Sequence, residues 1–217
     1  MYGGVRGRMR IIEIFHSFQG EGPLTGARTA FIRTARCNLR CTWCDTTYSF
    51  GEGSEASIEQ VLDKIAVFQT KDVCLTGGEP LLQPESVDLT RRLSEGGYRT
   101  VIETGGSLDI APYVRIPNTI ISLDVKCPAS GMQDTMRMEN LSYLRPQDVV
   151  KFVIADRKDY DYAREFLRTH PIPSQVVFQP VWGSPLREMA EWVLADHLNV
   201  RLMLQEHKFI WGDERGH

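Results

Sequence analysis

The sequence predicts an α/β fold, a partial and open barrel of parallel strands, on three observations. Short β-branched segments alternate with amphipathic helical ones along the chain. The chemically conspicuous polar residues fall at or just past the ends of those strands, where parallel sheets gather their ligands. The chain has 217 residues, fewer than the about 250 of a full eight-unit barrel, so some units must be abbreviated.

Taken in order, residues 1–8, rich in glycine and arginine, read as a loose N-terminal extension, and residues 9–217 as a single domain. The first strand pattern covers 30–34. A helix follows over 57–68, with Ile58, Val61, Leu62, Ile65 and Phe68 on one face. The apolar run Val73-Cys74-Leu75 makes 72–76 a strand, and 84–95 is helical in period. Residues 99–104 form the next strand, but 105–118 carry too little helical pattern for a full crossover. Strands at 119–125 and 149–154, a helix at 160–168, a strand at 175–180, a helix at 185–196 and a strand at 200–205 complete the alternation. Thr76, Glu79, Glu103, Asp124, Lys126, Gln179 and His207 then collect at one end of the sheet.

Composition narrows the function. The chain is 42% hydrophobic and 24% charged with a formal net charge of −3, which supports one substantial core and gives no basic excess for nucleic acid. No apolar stretch approaches membrane-spanning length, and no signal peptide opens the chain, so a cytoplasmic protein is expected, in a compartment that keeps thiols reduced.

The segment Cys37-Asn38-Leu39-Arg40-Cys41-Thr42-Trp43-Cys44 carries the strongest chemical signal. Its gaps place three thiols on one short loop, able to hold three corners of an iron-sulfur cube and leave one iron open to a ligand. A structural zinc site would want four ligands in two pairs, whereas Cys74 and Cys127 stand alone and read as core and strand-end thiols. An odd cysteine count argues against a disulfide framework. A thioredoxin-like Cys41-x-x-Cys44 would leave Cys37 without a role. The turn Thr76-Gly77-Gly78-Glu79-Pro80 follows about thirty residues on; by itself it is also an ordinary strand-ending turn.

Together these motifs resemble the radical S-adenosylmethionine (radical SAM) enzymes, whose core is an abbreviated, TIM-like barrel. In that superfamily three cysteines bind a 4Fe-4S cluster, and the cofactor chelates the fourth iron and is cleaved to a 5′-deoxyadenosyl radical. The segments from Phe15 to Gly22, Thr25-Gly26, Phe31-Ile32-Arg33, Cys44-Asp45-Thr46, Ile102 to Gly106, Asp124 to Pro128, Phe178 to Val181 and His207 to Gly212 resemble, in order and spacing, the 7-carboxy-7-deazaguanine synthase family. The resemblance implies a lyase that converts 6-carboxy-5,6,7,8-tetrahydropterin to 7-carboxy-7-deazaguanine with loss of ammonia. It implies a 4Fe-4S cluster on Cys37, Cys41 and Cys44, and Mg2+ on Thr46. S-adenosylmethionine is expected against Trp43, Gly77, Gly78, Glu79, Ser122, Asp124, Lys126, Gln179, Pro180, Val181 and Trp182. Substrate is expected against Phe18, Gln19, Gly20, Glu21, Arg33, Thr76, Glu103 and His207, with Glu103 and Lys126 catalytic.

Chemistry offers several of these a plainer alternative. Arg33 has the planar fork that reads a carboxylate, or is a surface arginine. Gln19-Gly20 permits close approach to a pterin edge, or is a turn. Glu103 faces the pterin nitrogens, moves a proton, or serves a salt bridge; Thr46 binds a cation or caps a turn. The polar tail 213–217 has no assigned role. A flavodoxin- or ferredoxin-type electron donor, a homodimer covering the open barrel edge, and no nucleic-acid or membrane partner complete the expectation. The alternative function is an activase that places a glycyl radical on a protein partner.

Overall fold

The computed structural model describes residues 7–217. Among the described residues nine strands form one sheet: β1 (Arg8–Phe18), β2 (Arg28–Thr34), β3 (Ser54–Ser57), β4 (Asp72–Gly77), β5 (Arg99–Thr104), β6 (Thr119–Val125), β7 (Val149–Ile154), β8 (Gln175–Pro180) and β9 (Arg201–Leu202). Their spatial order is β3-β1-β2-β4-β5-β6-β7-β8-β9. From β2 to β9 every neighbouring pair is parallel, whereas β1 runs antiparallel to both β2 and β3. The sheet does not close, so the expected open barrel is the observed fold. Helices α1 (Ile58–Ala66), α2 (Glu85–Glu95), α3 (Ala111–Val114), α4 (Arg157–Thr169) and α5 (Leu186–Ala195) lie in the connections between strands, and α6 (Glu206–Trp211) follows β9.

Local signals explain most boundaries. Ser57 and Gln60 form a reciprocal capping box at the start of α1. Asp156 accepts from the backbone N–H groups of Lys158 and Asp159, which starts α4 three residues ahead of its apolar period. The reduced crossover expected over 105–118 is the four-residue α3. The last strand shrinks from the expected 200–205 to Arg201–Leu202.

Two strands escaped the sequence pattern. Along β1 the polar residues Arg10, Glu13 and His16 break the alternation, and the ladder comes from neighbours on both sides. Strand β3, Ser-Glu-Ala-Ser, is held by β1 rather than by propensity. Most of the expected N-terminal extension lies outside the described residues, but Arg8 already belongs to β1 and pairs with Ser57.

Period-two alternation sorts the sheet's two faces. Val73, Leu75, Ile102, Leu123, Val150, Phe152 and Phe178 point outward and pack with Ile65, Leu89, Leu93, Phe166 and Met189 of the helices into one core. Cys74, Thr76, Glu103, Ser122, Asp124, Lys151 and Gln179 therefore turn to the concave side. The loop after β1 leaves at the amino-terminal end of β2, since Phe18 pairs with Arg28, and crosses beneath the concave face to reach β7 and α6.

Candidate functional site

A cavity of about 470 Å³ opens on that concave side. Its upper wall is the loop after β2. There the carbonyl of Arg36 accepts the N–H of Glu79 at 2.8 Å, joining the cysteine loop to the Gly77-Gly78-Glu79 turn at the end of β4. A Cβ on Gly78 would sit 1.8 Å from that carbonyl oxygen, so only glycine lets the two segments meet. Glu79 ties the same turn to the end of β5. Its carboxylate accepts from Thr104 at 3.0 Å, from the Gly105 N–H at 2.8 Å and from the Leu81 N–H at 3.0 Å. Burial pushes its pKa up against the pull of those donors.

Cys37, Cys41 and Cys44 all line the cavity as partly exposed free thiols. Burial raises the pKa of Cys37, and Glu79, Cys41 and Cys44 raise it further, so the three sulfurs lie within electrostatic reach of one another. Among the described residues, no group of three or more His, Cys, Asp and Glu side chains is arranged to hold a metal ion. A cluster makes a different demand, since it spreads its irons and takes its thiolates one per corner.

Beside the cysteines stands a buried cation. Lys126 Nζ is 2.9 Å from Asp124 Oδ2 and 5.2 Å from the centre of the Trp43 ring. Burial works to lower its pKa, but Asp124 and Cys41 outweigh that and hold it above the ordinary lysine value. Three buried polar atoms in this part of the cavity lack a protein partner: Trp43 Nε1, Asp124 Oδ1 and Gln179 Oε1. Such atoms are costly unless a ligand engages them, and they are one donor and two acceptors, as a zwitterionic amino-acid or nucleoside group would want.

Deeper in, one acid organises the polar groups. Glu103 accepts from Gln19 Nε2 through one oxygen and from Thr76 Oγ1 through the other, each at 3.2 Å. Arg33 Nε donates to Glu13 at 2.7 Å, Tyr48 donates to the same carboxylate oxygen at 2.9 Å, and the guanidinium lies 5.7 and 5.8 Å from the Phe15 and Tyr48 ring centres. His207 packs so tightly on Gly20 that a Cβ there would come within 2.3 Å of its Nδ1. Thr46 donates to Asp45 at 2.8 Å, and both line the rim. Trp182, 47% exposed, packs edge-on against Phe209 at the mouth.

The cavity thus brings together the expected residues with one exception. Pro180 does not line it. Alternation along β8 turns Gln179 inward and Pro180 to the other face, where it borders Ile154, Met189 and Trp192. Gly77 and Gly78 also answer to Thr34 and Arg36 rather than to open space left for a cofactor. Sequence reading missed Lys151, a cavity-lining lysine inside Val-Val-Lys-Phe-Val-Ile. A charge in the middle of an apolar strand was the signal. Glu13 was missed because β1 itself was.

Residues 31–151 match the Radical SAM superfamily. A 7-carboxy-7-deazaguanine synthase of Koribacter versatilis is 42% identical, over 95% of this chain and 98% of its own. One from Thermoplasma acidophilum is 41% identical, over 96% and 100%. Among solved structures, QueE from Escherichia coli superposes with a TM-score of 0.76 at 27% identity, covering 92% of this chain and 95% of its own. Streptococcus suis SuiB, bound to its precursor peptide SuiA, shares the fold at a TM-score of 0.60 and 12% identity, covering 80% of this chain and 47% of its own.

Proposed function

The chain belongs to the radical SAM superfamily and, within it, to the 7-carboxy-7-deazaguanine synthases, and from that premise we propose how its cavity works. The enzyme converts 6-carboxy-5,6,7,8-tetrahydropterin to 7-carboxy-7-deazaguanine with loss of ammonia, a step of queuosine and 7-deazapurine biosynthesis. When bound, the 4Fe-4S cluster and S-adenosylmethionine supply the one-electron chemistry that removes hydrogen from the substrate.

The observation that carries the site assignment is that three cysteines, the Gly-Gly-Glu turn and the Gln19–Glu103–Thr76 network share one cavity. Cys37, Cys41 and Cys44 hold the cluster. Trp43, Asp124 and Gln179 offer their unpartnered atoms to S-adenosylmethionine, with Gly77, Gly78, Ser122, Val181 and Trp182 around it. Arg33 takes the substrate carboxylate, because Glu13 fixes its Nε and leaves the outer guanidinium edge for a ligand. Glu103, oriented by Gln19 and Thr76, accepts from the pterin nitrogens and carries a proton. Lys126 is held protonated by Asp124, which makes it a donor rather than a base. Thr46, with Asp45 beside it, takes Mg2+, which tolerates so few protein ligands when substrate and water complete its shell.

Around the enzyme we place a flavodoxin- or ferredoxin-type electron donor, a cytoplasmic setting that protects the cluster, and a homodimer that covers the unpaired edges of β3 and β9. No helix among the described residues is long and apolar enough to cross a membrane. The glycyl-radical activase alternative falls, because relatives matching nearly the whole chain bear the synthase name.

The test is anaerobic turnover of the reconstituted enzyme with reductant, Mg2+, S-adenosylmethionine and 6-carboxytetrahydropterin, followed by absorbance and mass. Product is expected from the wild type and none from Cys41→Ala. Cofactor cleavage that leaves the pterin intact would refute the substrate assignment.

A further inference from the structure

A buried ion pair in this site has no part in the roles just assigned. Lys151, in the middle of β7 and 8% exposed, places Nζ 2.7 Å from Glu21 Oε2. The other Glu21 oxygen accepts from Gln205 Nε2 at 2.9 Å. One residue back, the carbonyl of Gly20 accepts the Glu206 N–H at 3.0 Å, with His207 packed on the Gly20 Cα. Three segments far apart in the chain, the loop after β1, the middle of β7 and the start of α6, thus lock together beneath the cavity.

Burying such a pair seldom stabilises a protein more than apolar side chains of the same volume would, so its presence points to a positional role. Both carboxylate oxygens of Glu21 are used within the protein. They tie the loop that bears Gln19, and the Gln19 amide reaches Glu103 at 3.2 Å. Asp124 and Glu103 join Glu21 in holding Lys151 charged against its burial, and the charge on Lys151 in turn works to lower the pKa of Lys126.

We propose that Lys151 is a positioning residue for the pterin: through Glu21 it braces the Gln19–Gly20 loop across the open barrel and so sets the edge that Gln19 and Glu103 present to substrate. Glu21 is then the brace and not a substrate contact. The proposal rests on the pterin reading of the site.

The test compares reconstituted wild type with Lys151→Met and with the charge-free double variant Glu21→Gln/Lys151→Met. Two readouts are taken: KM and kcat for 6-carboxytetrahydropterin, and hydrogen exchange of the Gly26 and Glu206 amides, which bond to the Gln19 and Gly20 carbonyls. The brace requires that Lys151→Met raise KM about tenfold or more, with a smaller change in kcat. Exchange should quicken at Gly26 and Glu206 while the β4 and β5 amides stay protected. The double variant, free of a stranded charge, should regain thermal stability yet keep the raised KM. If KM recovers together with stability, or if Lys151→Met leaves both readouts at wild-type values, the proposal is overturned. Should the wild type not turn over the pterin at all, the substrate reading fails, and the exchange rates alone decide whether the brace exists.

Discussion

Arg33 shows what a single residue reveals and conceals. Its type and its place at the end of β2 were legible as a carboxylate reader. What makes it one is the pair of partners on other segments: Glu13 of β1 takes Nε at 2.7 Å, and Tyr48, beyond the cysteine loop, donates to the same carboxylate. That fixed guanidinium cannot be replaced by a point charge. Arg33→Lys is therefore expected to raise KM for the pterin about tenfold or more, since bidentate recognition is lost, while the melting temperature moves little. Steady-state kinetics alongside thermal melts check it; an unchanged KM would remove Arg33 from the substrate site. Glu103 follows the same pattern. Its position at a strand end was readable, but whether it was a salt-bridge partner or an oriented acceptor depended on Gln19 and Thr76, which approach it from two other elements.

Elements were legible where they are amphipathic and obscure where a neighbour makes them. The faces of α1, α2 and α5 follow from their apolar period, and the seven parallel strands from their β-branched runs. Strand β1 exists because it pairs with both β2 and β3, and the short β3 because it pairs with β1. The Gly77-Gly78-Glu79 turn lies between these cases: its sequence announced a special turn, but the reason for its second glycine is the Arg36 carbonyl on another loop. Gly78→Ala should thus act at the level of the turn, forcing the β4 end and the cysteine loop apart. The expected result is a melting temperature lower by several degrees, since overpacking of this kind costs about 1–3 kcal/mol, together with poor cluster incorporation on reconstitution. Iron content and visible absorbance would show it. Wild-type iron loading would mean that the loop is not held by this contact.

At the scale of the molecule, the open sheet is drawn together by the Lys151–Glu21–Gln205 lock, and this gives the fold a pH signature. Burial alone would raise the pKa of Glu21, but Lys151, His207 and Gln205 hold it well below the ordinary 4.5 that it takes when unfolded. A carboxylate with a depressed folded pKa contributes stability above its unfolded value, and that contribution drains away as pH falls through the folded one. Lys151, raised in the folded state, contributes fully below its ordinary 10.5 and loses that only in strong alkali. Glu21→Gln is accordingly expected to lower the melting temperature at neutral pH and to flatten its fall on the acid side of pH 4.5. Melts of cluster-free protein from neutral pH downward measure this. A variant whose acid limb parallels the wild type's would place the proton linkage elsewhere.

The sequence by itself determined the fold class, the cysteine loop and the acids and cations at the strand ends, because hydrophobic period and motif spacing are local properties of a chain. Pro180 marks how far that reach extends: motif adjacency put it with Gln179, and the pleat of β8 put it on the opposite face. Only the tertiary structure decided which groups meet. Glu13 with Arg33, Gln19 with Glu103, and Glu21 with Lys151 across 130 residues are pairings between segments, and no local pattern encodes which distant backbone will bring a partner within bonding distance.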